Sequence, residues 1–384
     1  MKIHEIVVAA LIILCPLSAV AQNAPTDPMV SYAAYNTAIE TGSLSDAATH
    51  AMAAWRAAET AWGATNPNTG GLAYNAAWSA MLMNRAHEAI EPARRAVALG
   101  ALPEAAYKIE EAEFLLSYAE FQVATPEQQE RLVQRFVTKI EKVETSWNDL
   151  LIVNAMNAAS NRLLFRDSPI SSLAMAEKAM AQIARLEISN ANFKAFALFN
   201  RGRAHMYLRH HREAVSDLID ARLAYGMPRN SDDKVWGNFA AWHLAAEALA
   251  KSNNYQFREV TGSSIRAGSM EDRFIRNLTS EERRLTSFSN SCRGINFTRA
   301  DGVGADISFP REATRDGLIG GVVARLKVAA DGKVERVTVL GVVPNDSFSR
   351  NAEAAVMTWR YNFSRPPSAE CRENYILSVI FAFH

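Results

Sequence analysis

A mostly α-helical chain that ends in a small α+β domain is the fold class this sequence predicts, on three observations. From Pro28 to about Ser252 the 384-residue chain is rich in alanine, and its apolar residues recur at helical spacing. From Lys251 to Asp306 the composition turns to Ser, Asn, Gly and Arg, with no proline. From Ile307 onward, short alternating and β-branched runs replace the helical period. The expected domains are a signal segment over 1–21, a helical-repeat domain over 28–252, a linker with a short helix over 253–306, and the α+β domain over 307–384.

The N-terminus has the order of a secretory signal peptide. Lys2 precedes an apolar run from Ile6 to Leu14, and Ala19-Val20-Ala21 closes it with small residues before Gln22. The whole apolar stretch, Ile6 to Ala21, contains Pro16 and is short against the ~20 residues of a spanning helix, so cleavage is expected over retention as an anchor. Leu14 stands before Cys15 where lipid attachment would want a small residue. Cleavage leaves Cys292 and Cys371, and an exported chain with one remaining pair points to a disulfide, two buried thiols being the alternative. The loop it would close contributes on the order of 4 kcal/mol in the chain-entropy model.

Within 28–252, breaks at Thr41-Gly42, Asn66-Pro67-Asn68, Gly100, Thr125-Pro126, Ser168-Pro169 and Gly226-Met227-Pro228 part the helices at intervals that suit stacked hairpins. Ala195 to Pro228 forms the clearest unit. Gly202 sits where its first helix must approach the second, and Ala214, Leu218 and Ala221 line the second helix's packing face. Ala77, Ala89 and Ala96 take the same places in a unit over Gly70–Leu102, and Tyr35, Ala47 and Ala54 in a unit from Pro28. This pattern resembles degenerate tetratricopeptide repeats, which implies an α-solenoid with a concave groove for a protein partner. Ala105 to Ile183 is helical but keeps the period poorly. Asp232 to Ala250 reads as a last amphipathic helix capping the row. In the linker, Thr279 and Glu282 have the spacing of a capping box.

In the C-terminal domain, Val322, Ala324, Leu326 and Val328 alternate with Arg325 and Lys327. Asp331-Gly332 supplies turn residues, and Val337 and Val339 continue a second strand, so the pair reads as a hairpin. Ser347 or Ser349 is placed to cap a helix carrying Ala352, Ala355, Val356 and Trp359 on one side. Tyr375 to Phe383 reads as a final strand. A short helix, a hairpin, a helix and a strand make a three-stranded antiparallel sheet.

Phe309-Pro310, Ala313, Gly317, Gly321-Val322-Val323, Asp331-Gly332-Lys333-Val334, Phe348, Ala352, Ala355 and Trp359-Arg360-Tyr361 occur in that order. Together they resemble the C-terminal domain of the TonB family of envelope energy transducers. Phe309 stands where the family usually has tyrosine, and Ser349 where an acidic residue is common. The resemblance implies that the last strand receives an extended peptide of an outer-membrane receptor by strand addition. Tyr375, Leu377, Val379, Phe381 and Phe383 would form one face of that edge; a dimer mate or a central position in the sheet are the other ways to cover it. The family's proline-rich spacer is missing, and helical repeats stand in its place.

Other chemistry finds no footing. Net charge is zero without basic runs, which excludes a nucleic-acid partner. HExxH, GxSxG and phosphate-cradling glycine loops are absent. His205, His210 and His211 read as the polar tip of a hairpin, and His50, His87, His243 and His384 are isolated. Trp55 and Trp62, one heptad apart, read as core. Gly320-Gly321 enters a strand and suits a bend or a close backbone approach. The expectation is a non-enzymatic periplasmic adaptor without metal or cofactor, meeting the membrane only through partners or an uncleaved N-terminus. The alternative is an anchored transducer driving receptor-dependent transport.

Overall fold

The computed structural model describes residues 27–144, 147, 150–165, 168–226, 233–251, 268–269, 292, 295–316 and 320–381. The expected signal segment, the capping box at Thr279, Gly317 and Phe383 lie outside them. The chain divides into two compact units, Met1–Phe193 and Lys194–His384. Among the described residues no helix is long and apolar enough to cross a membrane.

The first unit is a row of helices in which each packs on the next: α1 (Pro28–Glu40), α2 (Leu44–Ala61), α3 (Pro67–Leu82), α4 (Ala86–Leu99), α5 (Ile109–Val123), α6 (Pro126–Val143), α7 (Leu150–Phe165) and α8 (Pro169–Arg185). The breaks read from sequence act as caps. Asn66 accepts from the Asn68 amide, with Pro67 in the first turn, and Thr125 and Gln128 form a reciprocal capping box. Small residues set the helix spacing: Ala47, Ala54, Ala77, Ala89 and Ala96 have no exposed surface. A Cβ on Gly70 would stand 2.8 Å from the Leu99 Cβ. Between α7 and α8, Ser160 and Ser172 are buried and each hydroxyl reaches the other's carbonyl, at 2.9 and 2.8 Å, so neither is left unsatisfied.

In the second unit, α9 (Ala191–Tyr207), α10 (His211–Tyr225) and α11 (Lys234–Lys251) precede the C-terminal sheet. Gly202 lies where a Cβ would come within 2.8 Å of Leu218 Cγ, the close approach the repeat pattern implies. The sheet runs in the order β1-β6-β3-β4: β1 (Gly268–Ser269), β3 (Gly320–Val328), β4 (Val334–Val343) and β6 (Tyr375–Phe381), all antiparallel. The three expected strands are its body, and the two-residue β1 adds a fourth. A separate ribbon pairs β2 (Phe297–Arg299) with β5 (Tyr361–Phe363). Three helices complete the domain: α12 (Arg311–Asp316), α13 (Asp346–Val356) and α14 (Ala369–Glu373).

Three local expectations change in the structure. Of the turn pair only Gly332 takes positive φ, at 87°, and its amide donates to the Ala329 carbonyl at 3.0 Å. The cap of α13 is Asn345 rather than Ser347 or Ser349. Its side chain accepts from the Ser347 amide at 3.0 Å, while Ser347 Oγ donates to the same oxygen at 2.6 Å. Finally, α11 does more than end a row of helices. It packs on α10 and also lies across β3, β4 and β6. Trp236, Ala240, Ala241, Leu244 and Ala245 form a core with Val323, Leu340 and Val343 of the sheet. An apolar stripe does not reveal whether a helix or a sheet will cover it, which is why periodicity assigned this helix to the repeats alone.

Candidate protein-binding strand

Strand β6 owes its place to alternation. Leu377, Val379 and Phe381 are buried in the core beneath α13, together with Val322, Ala324, Leu326, Phe348, Ala352 and Trp359. Register fixes the layer: Val322 faces Val379, Ala324 faces Leu377 and Leu326 faces Tyr375. Phe309, Phe348 and Phe381 pack edge to face, with centroids 4.9 to 5.8 Å apart. Ile376 turns to the opposite side and packs against the core under α11. Tyr375 is half-buried, its ring stacked on Phe297 at 4.3 Å.

Four of the five residues named for this edge, Tyr375, Leu377, Val379 and Phe381, therefore face their own domain's core. A peptide added beside β6 would meet its main chain and the Ile376 and Ser378 side. The outer flank of β6 is paired with β1 at Val379 and Ile380. Among the described residues no strand pairs with that flank from Tyr375 to Ser378.

The motif residues brace this strand from the other end of the domain. Trp359 is buried and donates its indole N–H to the Ala305 carbonyl at 2.7 Å. Arg299 lies 4.5 Å over the same ring and donates to the Gly304 carbonyl and Asp306, each at 3.0 Å. The Ala305 amide donates to Thr358 Oγ1 at 2.7 Å. Residues 299–306 are thus strapped over Trp359, a contact no local pattern announces. Asp331 accepts from Arg360 at 2.8 Å, and the Lys333 amide at 3.1 Å, followed by Arg360, holds its carboxyl below the usual carboxylate range. Both side chains are exposed, so the pair fixes the turn more than it stabilises the fold. A Cβ on Gly332 would meet the Tyr361 carbonyl oxygen at 1.9 Å, so glycine is required there for space as well as for φ.

Cys292 and Cys371 are placed at bonding distance, with sulfurs 2.06 Å and Cα atoms 5.4 Å apart. The cross-link would tie the residue before the β2 segment to α14, just ahead of β6.

The opposite side of the sheet packs on α11 through a side-chain core, and at three glycines main chain approaches main chain directly. A Cβ on Gly341 would stand 2.1 Å from the Gly237 carbonyl oxygen, and one on Gly237 2.3 Å from the Leu340 carbonyl carbon. Gly321, a motif position, lies under Ala241, where a Cβ would be 2.7 Å from its oxygen. Lys234 Nζ donates to the Val339 carbonyl at the end of this seam.

Among the described residues no group of three or more His, Cys, Asp and Glu side chains is arranged to hold a metal ion. In the helices a buried charged chain links α10 to α11. Arg222 Nη1 is 2.8 Å from His243 Nδ1, and His243 Nε2 is 3.5 Å from Glu247. Since a guanidinium only donates, Nδ1 is the acceptor and the imidazole carries its proton on Nε2, toward Glu247.

Residues 305–382 match the family model described as the Gram-negative bacterial TonB protein C-terminal. Over 61 residues the chain is 36% identical to Protein TonB of Klebsiella aerogenes, a stretch covering 16% of this chain and 25% of that protein. The chain thus spans a quarter of the curated relative it matches, and the family match falls within the second compact unit.

Proposed function

We propose that this chain is a non-catalytic adaptor of the Gram-negative periplasm, exported by a cleaved signal peptide. Its C-terminal sheet accepts an extended segment of an outer-membrane receptor along β6, and its tetratricopeptide-like helices hold a second protein. The observation that carries this reading is the coincidence of the TonB-type match with a strand whose outer flank, among the described residues, is paired only at Val379 and Ile380. Main-chain hydrogen bonds from Tyr375 to Ser378 would supply affinity, and the half-buried Ser378 would supply side-chain contact. Either a longer peptide displaces β1, or a short one stops before Val379.

The glycine seam favours an adaptor over a transducer. A transducer of this type works at the end of a long spacer, whereas here the sheet shares a core with α11. The anchored-transducer reading rests on the same family match and requires residues 6–21 to be retained. Mass measurement of the mature N-terminus separates the two: a chain beginning at or near Gln22 excludes the anchor.

A photo-crosslinker at Ser378 of the full-length chain tests strand addition in intact envelopes. Crosslinks from Ser378 to the N-terminal segment of a β-barrel receptor, lost in Val379→Pro, are the expected result. A control crosslinker at exposed Glu335 on β4, at the other side of the sheet, is expected to stay silent. Equal labelling from both positions would remove β6 as the docking strand.

A further inference from the structure

The turn between α9 and α10 brings together two histidines with no part in the sheet. His205 is in the last turn of α9, and His210 is the residue before α10. Arg209 between them takes φ 63°, and this left-handed residue folds the chain back so that the two rings meet. Their Nδ1 atoms are 3.2 Å apart and their ring centroids 5.4 Å. Two ring nitrogens at that distance share one proton, one ring donating and the other accepting.

Which ring accepts follows from a third residue. Asp217 Oδ2 lies 3.7 Å from His205 Nε2, and Arg201 holds that carboxylate through bonds of 2.6 and 2.8 Å. A carboxylate beside Nε2 keeps the N–H there and leaves Nδ1 of His205 as a lone pair aimed at His210. His205 is fixed and largely covered, while His210 is on the exposed side of the turn.

We propose that His205 and His210 form a two-histidine site for a divalent transition metal of the zinc, nickel and copper class, the cation replacing the proton that the rings share. With metal–nitrogen bonds of ~2.0–2.1 Å, nitrogens this far apart subtend roughly 100–105° at the metal, near the tetrahedral angle. The rings now face each other almost end on, so His210 must swing by a small rotation; its exposure permits this while Asp217 keeps His205 in place. Binding forms two N–metal bonds, and the His210 Nδ1 proton passes through solvent to Nε2 of the same ring, so His210 binds as the neutral Nε2–H tautomer with no net loss of a proton. Water or a side chain of a bound partner fills the remaining positions. The Arg201 charge is offset by Asp217, and Arg209 and Arg212 on the turn reduce affinity without blocking neutral ligands.

Calorimetric titration of the full mature chain with zinc chloride at neutral pH tests the site, with cobalt(II) absorption reporting coordination geometry. One equivalent is expected, with loss of affinity of at least about 10-fold in His210→Gln and about 10-fold or more in Asp217→Asn. His50→Gln should leave binding unchanged. His210 is exposed, so its variant is not expected to disturb the fold, which far-UV circular dichroism verifies. Absence of binding by the native chain, or equal binding by native and His210→Gln proteins, overturns the proposal.

Discussion

The two faces of the C-terminal sheet are packed by opposite means. Toward α13 the sheet presents large side chains, and Phe348, Trp359 and Phe381 interdigitate as in an ordinary core. Toward α11 it presents glycine, and main chain rests on main chain at Gly237, Gly321 and Gly341. Adjacent Gly320 and Gly321 divide between the faces. A Cβ on the first would stand 2.6 Å from the Phe348 ring, and on the second 2.7 Å from the Ala241 oxygen. One face is held by interlocking side chains, the other by a smaller side-chain core together with glycines that let main chain meet main chain.

Substitutions can break this contrast. The largest effect is expected from Phe348→Ala, which empties a fully buried ring and should cost about 3–5 kcal/mol, read as a lower urea midpoint. Removing the cross-link with Cys292→Ser and Cys371→Ser together should cost about 4 kcal/mol in the chain-entropy model. Intact protein denatured without reductant should show no free thiol once the signal segment is gone. Gly341→Ala adds a single methyl group, yet at 2.1 Å from a carbonyl oxygen it should cost about 1–3 kcal/mol. An unchanged midpoint in Gly341→Ala would mean that the seam is not tight and that α11 sits loosely on the sheet. The smallest effect, about 1 kcal/mol, is expected for Asn345→Ala, which removes the cap of α13.

The contrast also explains what could be read from residues alone. Alternation in Val322–Val328 placed β3 and its buried side, and the run from Tyr375 placed β6 but not which of its faces is buried, since the face read as a docking edge is the one in the core. The helical breaks were legible because proline, glycine and capping residues act within a few positions. The seam with α11 was not: Gly237, Gly321 and Gly341 are far apart in sequence, and an absent side chain has no period. Glycines at 320 and 321 did signal a close approach, but not which element approached. The strap of Arg299 and Ala305 on Trp359 was hidden for the same reason, as it joins residues more than fifty positions apart. For the candidate strand, sequence located β6, but which of its faces stays accessible depends on where α13 lies.

Synthesis order gives the seam with α11 a further meaning. Helix α11 leaves the ribosome well before β3, and its apolar seat can be filled only after the last strands have followed. Until then it must wait with Trp236 and Leu244 uncovered, exposed to chaperones and to other unfolded chains. The second unit is expected to fold late and as a whole, its rate governed by closure of the long loop between α11 and the sheet. Truncation anywhere in the final strand would leave the helix with an uncovered apolar face and make the chain sticky.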